Sequence, residues 1–299
     1  MSWLFLGALS GLILGVYDLL KKQSVHGNAV LPVLFFSNLA SATVWLPLVI
    51  LSHTRPELLP HPALEVASLS AKEHLFLLVK ACIVGSSWLL GYFAIKNLPI
   101  SIAGTIRSTS PVFTLIGALI IYHEAPNGLQ WTGIVITLMF FVALSFVGKR
   151  EGIHFENNRW IWMILLATML GACSGLWDKF LLGSYGFSPA TVQSWFSIYL
   201  LLYMLIPSWG WYRGWWKRSQ FHWRWSIPAI GLSLLVADFF YFKSLADPDA
   251  MVSVVSCLRR AAVLVTFFLG TLLFKEKQFW RKLPCVLGIL GGILLILLA

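Results

Sequence analysis

The sequence predicts an all-α membrane protein: ten transmembrane helices, built as two inverted five-helix repeats around a central cavity. Three observations lead there. Hydrophobic residues make up 58% of the 299 residues and charged residues 11%, where soluble domains run at roughly 45–50% and 25%. Apolar runs of about 20 residues, the length a helix needs to cross a bilayer, follow one another through the chain. The second half also matches the first at a set of charged, glycine and proline positions. This composition excludes an ordinary soluble enzyme and a disordered chain.

Charge, Pro and Gly clusters divide the apolar runs into segments at 3–20, 30–52, 74–96, 98–121, 128–148, 160–183, 188–208, 225–244, 250–274 and 282–299. In hydrocarbon a backbone must satisfy its own hydrogen bonds, so each segment is a helix. In the first, Gly11 and Gly15 let another helix approach closely. The start, Met1-Ser-Trp-Leu, has no basic leader and reads as part of the first span. The longest loop, 53–73, carries Pro56, Pro60 and Pro62 and ends in Ser70-Ala-Lys-Glu73, a capping box opening the third helix. The cysteines, Cys82, Cys173, Cys257 and Cys285, fall in apolar segments without CxxC spacing and read as buried free thiols.

The net charge of +10 follows the loops and not a nucleic-acid surface. Loops after odd-numbered spans hold 13 Lys and Arg, counting Lys21 and Lys22 among them, against Arg55 and Lys72 after even-numbered ones. The positive-inside rule then puts both termini outside the cytoplasm. Trp209, Trp211, Trp215, Trp216, Trp223 and Trp225 form an interfacial belt beside the basic 209–225 region.

A shift of 160 lays Gly11 on Gly171, Gly15 on Gly175, Tyr17 on Trp177, Asp18 on Asp178 and Pro47 on Pro207. A shift of 152 lays Ser101 on Ser253, Arg107 on Arg259, Thr114 on Thr266 and Glu124 on Glu276. Five spans per unit is an odd number, so the second unit enters from the opposite side, as in many secondary transporters. The units are 1–150 and 151–299.

Here the residues resemble a family. Pro111 to Glu124 (PVFTLIGALIIYHE) is similar to the fourth-helix signature of the EamA-type drug/metabolite transporter superfamily, and Arg260 to Glu276 to its second copy. The resemblance spans the chain. It implies a ten-helix basket that exports or exchanges small metabolites in the bacterial plasma (inner) membrane. A shorter stretch, Val255 to Val265 with the Arg259-Arg260 pair, is similar to the ninth helix of triose-phosphate translocators, where a basic pair grips phosphate.

A charge at the bilayer centre costs about 2.5–3.5 kcal/mol even on a lenient scale, so intramembrane charges face the bundle interior. Arg107, Arg259 and Arg260 lie deep in the fourth and ninth helices, with Ser108 and Thr114 near Arg107. Guanidinium groups bind carboxylate or phosphate bidentately, which points to an anion site. Pairing with Asp18, Asp178 or Asp238 is the structural alternative. Tyr17, Trp177 and Tyr241 share a turn with a charge and are substrate-site candidates with Lys243. Asp18, Asp178 and Asp238 are gate or proton-coupling candidates, Asp18 with Arg107 and Asp178 with Arg259. Lys80, near the start of a span, reads as a snorkelling side chain.

The chain carries no HExxH, GxSxG or Walker loop. An enzyme, a cofactor, a metal and a nucleic-acid partner are therefore not expected. The reading is a monomeric secondary transporter of a small metabolite, an organic or phosphorylated anion, working by alternating access. A flippase for a lipid-linked phosphate is the alternative on the same fold; a polytopic membrane enzyme ranks below both.

Overall fold

A computed structural model describes residues 2–98, 106–107, 109–147, 159–215, 219–274 and 279–299. Within them the chain is helical, with no strand. Helix α1 is Trp3–Val25, capped by the Ser2 side chain, and α2 is Val30–Thr54. Pro56 and Pro62 each open a short 3-10 turn in the long loop. Helix α3, Ala71–Asn97, begins with the expected capping box: Glu73 N–H donates to Ser70 Oγ at 3.4 Å and Ser70 N–H to Glu73 Oε2 at 2.7 Å. Then come α4 (Ser110–Ile121), α5 (Gly128–Val147) and α6 (Arg159–Lys179), the last continued by a π turn over Phe180–Ser184. Helix α7 is Pro189–Arg213, with Ser188 as its cap and Gly214 ending it at φ 78°. Helix α8 is Ser226–Leu245.

The next segment departs from the single helix expected over 250–274. It is α9 (Val252–Leu258), a 3-10 turn over Arg259–Ala261, and α10 (Ala262–Phe274). Helix α11 is Phe279–Leu297. In the segment expected over 98–121, Ile106 and Arg107 are helical and α4 starts at Ser110; Ser101 and Ser108 fall outside the described residues. Seven helical stretches among the described residues are long and apolar enough to cross a membrane. All four cysteines are free, but Cys82 and Cys173 are on the surface and only Cys257 and Cys285 are buried.

The main helix contacts run between the two halves of the chain. Helix α1 lies on α8 and α3 on α6; α2 lies on α8 and α3 on α7; α1 meets the 259–261 turn and α10 while α6 meets α4; α2 pairs with α7 and α5 with α11. Two of these contacts require glycine. A Cβ on Gly11 would stand 2.8 Å from the Leu258 carbonyl oxygen, and one on Gly15 would stand 2.7 Å from that of Ala262, so α1 rides directly on the broken segment. A Cβ on Gly231 would overlap the Ser37 carbonyl, where α2 and α8 meet backbone to backbone and Ser41 Oγ donates to the Gly231 carbonyl at 2.9 Å.

The Gly231→Ala variant is expected to lose about 1–3 kcal/mol, the usual penalty for overpacking. Gly291→Ala, in α11 with nothing within 4 Å, should stay within about 0.5 kcal/mol of wild type. Thermal unfolding in detergent reads both; equal melting temperatures would contradict the α2–α8 approach.

Candidate functional site

Helices α1, α3, α6, α8 and the 259–261 turn enclose a central cavity of about 310 Å³, with a neighbouring chamber of about 390 Å³ that shares Asp18, Lys21, Ser87, Trp88, Arg107, Phe141, Gly171 and Arg260 with it. Eight charged side chains line the first: Lys21, Lys80, Arg107, Arg259 and Arg260 against Asp18, Asp178 and Asp238. Asp18 and Arg107 are exposed, Lys80 and Asp178 buried, so the cavity is wet at one end and dry at the other.

At the dry end Lys80 of α3 forms an ion pair with Asp178 of α6. Lys80 is 2% exposed, and its ammonium lies over the Phe196 and Phe242 rings at 4.3 and 4.8 Å. Lys80 is therefore not a snorkelling side chain: position near a span's start leaves a long stem free to turn inward, and the buried carboxylate opposite decides the direction.

Beside this pair Arg259 Nη2 donates to Asp238 Oδ1 at 2.9 Å, and its guanidinium stacks 4.1 Å from the Tyr241 ring centre. Asp178 thus pairs with Lys80, not with Arg259 as its sequence counterpart suggested. Arg260 points elsewhere, its guanidinium 5.4 Å from the Phe141 ring centre. The Nε–H groups of Arg259 and Arg260 are buried without a hydrogen-bond partner among the described residues. At the wet end, Asp18 and Arg107 take part in no ion pair among the described residues. Lys21 sits over the Tyr17 and Tyr92 rings at 5.3 and 4.7 Å.

Tyr17, Asp18, Arg107, Asp178, Asp238, Tyr241, Arg259 and Arg260 are thus brought together as the sequence suggested. Two candidates are not. Trp177 packs on Phe76 and Phe180, its indole N–H bonded to the Phe76 carbonyl at 3.1 Å. One helical residue is about 100° of rotation, so a neighbour of the cavity-facing Asp178 faces away. Lys243 is exposed outside the lining, two residues and about 200° from Tyr241. Ser108 lies outside the described residues.

Sequence reasoning misses Lys21 and Lys80. Lys21 falls among the loop charges by position, yet α1 continues to Val25 and carries it into the cavity. Its spacing is the available signal: three residues after Asp18 and four after Tyr17, it shares their face.

Residues 1–146 match the EamA-like transporter family. That match covers just under half of the chain. The chain has the fold of a known structure along its whole length. Among 28 solved chains that match, one described only as a protein crystal structure superposes with a TM-score of 0.73, covering 99% of this chain and 96% of its own at 14% identity. No curated protein sequence matches. The comparisons lend nothing to the likeness between 255–265 and triose-phosphate translocators. An integral membrane transporter handling a small molecule fits both the family and the apolar helices.

Removing one partner of a buried ion pair strands the other, at about 3–5 kcal/mol. Lys80→Met and Asp178→Leu should each lower the protein's melting temperature sharply, and the double variant should recover most of the loss. Additive losses in this cycle would show that the two side chains do not interact.

Proposed function

We propose that the protein is a secondary transporter of a small organic anion, a carboxylate or phosphate ester, moved by alternating access. One observation carries this reading. Once Lys80–Asp178 and Arg259–Asp238 are paired, the cavity keeps Lys21, Arg107 and Arg260 against Asp18 alone, a net charge of +2. Charge-assisted bonds to guanidinium in low dielectric favour an anion and disfavour a quaternary amine. The Nε–H groups of Arg259 and Arg260, which have no acceptor among the described residues, are donors awaiting one. Trp88, Phe141 and Val84 supply the apolar wall of a site for an organic molecule.

Ten spans in two inverted units, 1–150 and 151–299, form the rest of the proposal. Its support is the reciprocal packing: exchanging each first-half helix with its counterpart turns the α1–α8 contact into α6–α3 and α2–α8 into α7–α3, and leaves α2–α7 and α5–α11 as self-partnered pairs. The orientation with both termini outside the cytoplasm, in a bacterial inner membrane, follows the loop charge. The protein acts as a monomer, without a cofactor.

Thermal-shift measurements with carboxylates, phosphate esters and quaternary amines test the charge. Anions should stabilise wild type, since a ligand that binds only the folded state raises its stability. Arg260→Gln should weaken binding by about 30- to 150-fold, equivalent to about 2–3 kcal/mol for one charge-assisted anchor, and Arg260→Lys should weaken it too if the contact is bidentate. A stabilising cation, indifferent to both changes, would overturn the reading.

A further inference from the structure

Beyond Arg259 and Arg260 a smaller chamber of about 130 Å³ continues between α4, α6 and α9, lined by Ser110, Thr114, Gly175 and Ser256 and ending at Val252. That end is shut by a carboxylate from the other half of the chain. Glu124, just after α4, accepts hydrogen bonds from the backbone N–H of Val252 at 2.6 Å and of Ser253 at 3.1 Å, and from the Ser253 hydroxyl. The first turn of a helix has no internal partners for these N–H groups, and the Met251 cap supplies no side-chain acceptor. The chain bends to deliver the carboxylate: His123 has φ 50°, the one non-glycine residue with positive φ among those described. Two other ties close the same end. Tyr122 OH donates to the Leu176 carbonyl at 2.6 Å, and Lys179 donates to the Ala250 carbonyl.

The α6 wall of this same chamber is loosely packed. Gly171 and Gly175, the counterparts of Gly11 and Gly15, have nothing closer to an added Cβ than Ser87 Oγ at 3.8 Å and Tyr241 OH at 3.6 Å. The end beyond Val252 is bolted, while Asp18 and Arg107 at the other end of the cavity are exposed.

We infer that Glu124 is a positioning residue that latches α9 to the end of α4, holding the transport path shut on the face formed by the 122–127 and 246–251 loops. The inference rests on the alternating-access reading. In the resting form the latch keeps the cavity open toward the Asp18–Arg107 end. Releasing the carboxylate from Val252 and Ser253 lets α9 move off α4 and joins the small chamber to the other face.

The test is sided thiol labelling in sealed proteoliposomes of scored orientation. The four native cysteines are replaced by alanine, and the probe is a membrane-impermeant sulfonated maleimide. With Glu124 present, Ser256→Cys should label slowly from the latch face and Ser87→Cys, half-buried on the wall of both larger chambers, readily from the opposite face. Glu124→Ala should speed the first about tenfold and slow the second, because the two states share one population. Ser253→Ala, which keeps both backbone bonds and drops only the hydroxyl, should move both rates the same way by less. Unchanged rates at both positions overturn the latch. So do rates that rise at both, which signify a loosened protein. No substrate is needed, so a failed anion screen and a failed latch are told apart.

Discussion

The fold is organised around charge that hydrocarbon does not tolerate. Lys80 and Asp178 sit on different halves of the chain, both almost dry, and neither could stay ionised there alone. Their pairing ties α3 to α6, and the Phe242 ring of α8 packs under the same ammonium at 4.8 Å. Three helices are thereby registered at one height. The pair does not add much net stability, since replacing buried ions by packed apolar groups is often neutral. What it contributes is position: a fixed floor to the cavity, beneath which Phe196 and Phe242 exclude water.

Above that floor the charges are unbalanced. Arg259 is held by Asp238 and stacked on Tyr241, whereas Arg260, Arg107 and Lys21 have no carboxylate of their own among the described residues. Aromatic faces take up part of the deficit, Tyr17 and Tyr92 for Lys21 and Phe141 for Arg260. Cation–π contact is worth about 0.5–2 kcal/mol, less than a charge-assisted hydrogen bond, so these cations are restrained without being satisfied. A site of that kind is ordered before its ligand arrives and still gains by binding.

Much of this is legible in the sequence because membranes simplify the reading. Apolar length marks the helices, Gly11 and Gly15 the close approach of α1, and Ser70 with Glu73 the start of α3. Depth in a span singles out Asp18, Arg107, Asp178, Asp238, Arg259 and Arg260, all of which meet in the cavity. What escapes is rotation and partnership. Trp177 and Lys243 lie near a charge along the chain, but a helix turns about 100° per residue and carries both away. Lys80 escapes because its partner is 98 residues distant. Glu124 stands in a recognisable signature with no visible task, since its partners are two backbone N–H groups and a hydroxyl in the other half.

The 3-10 turn at Arg259–Ala261 has a mechanical side. A 3-10 turn rises about 2.0 Å per residue and an α-helix about 1.5 Å, so recoiling three residues would shorten the rod by about 1.5 Å and twist the helix beyond them by about 60°. The piece that would swing is α10, on which Gly15 of α1 rests. The joint thus carries its own stroke length, set by peptide geometry, and its recoil would turn the two arginines mounted on it and shift the bed on which α1 rides.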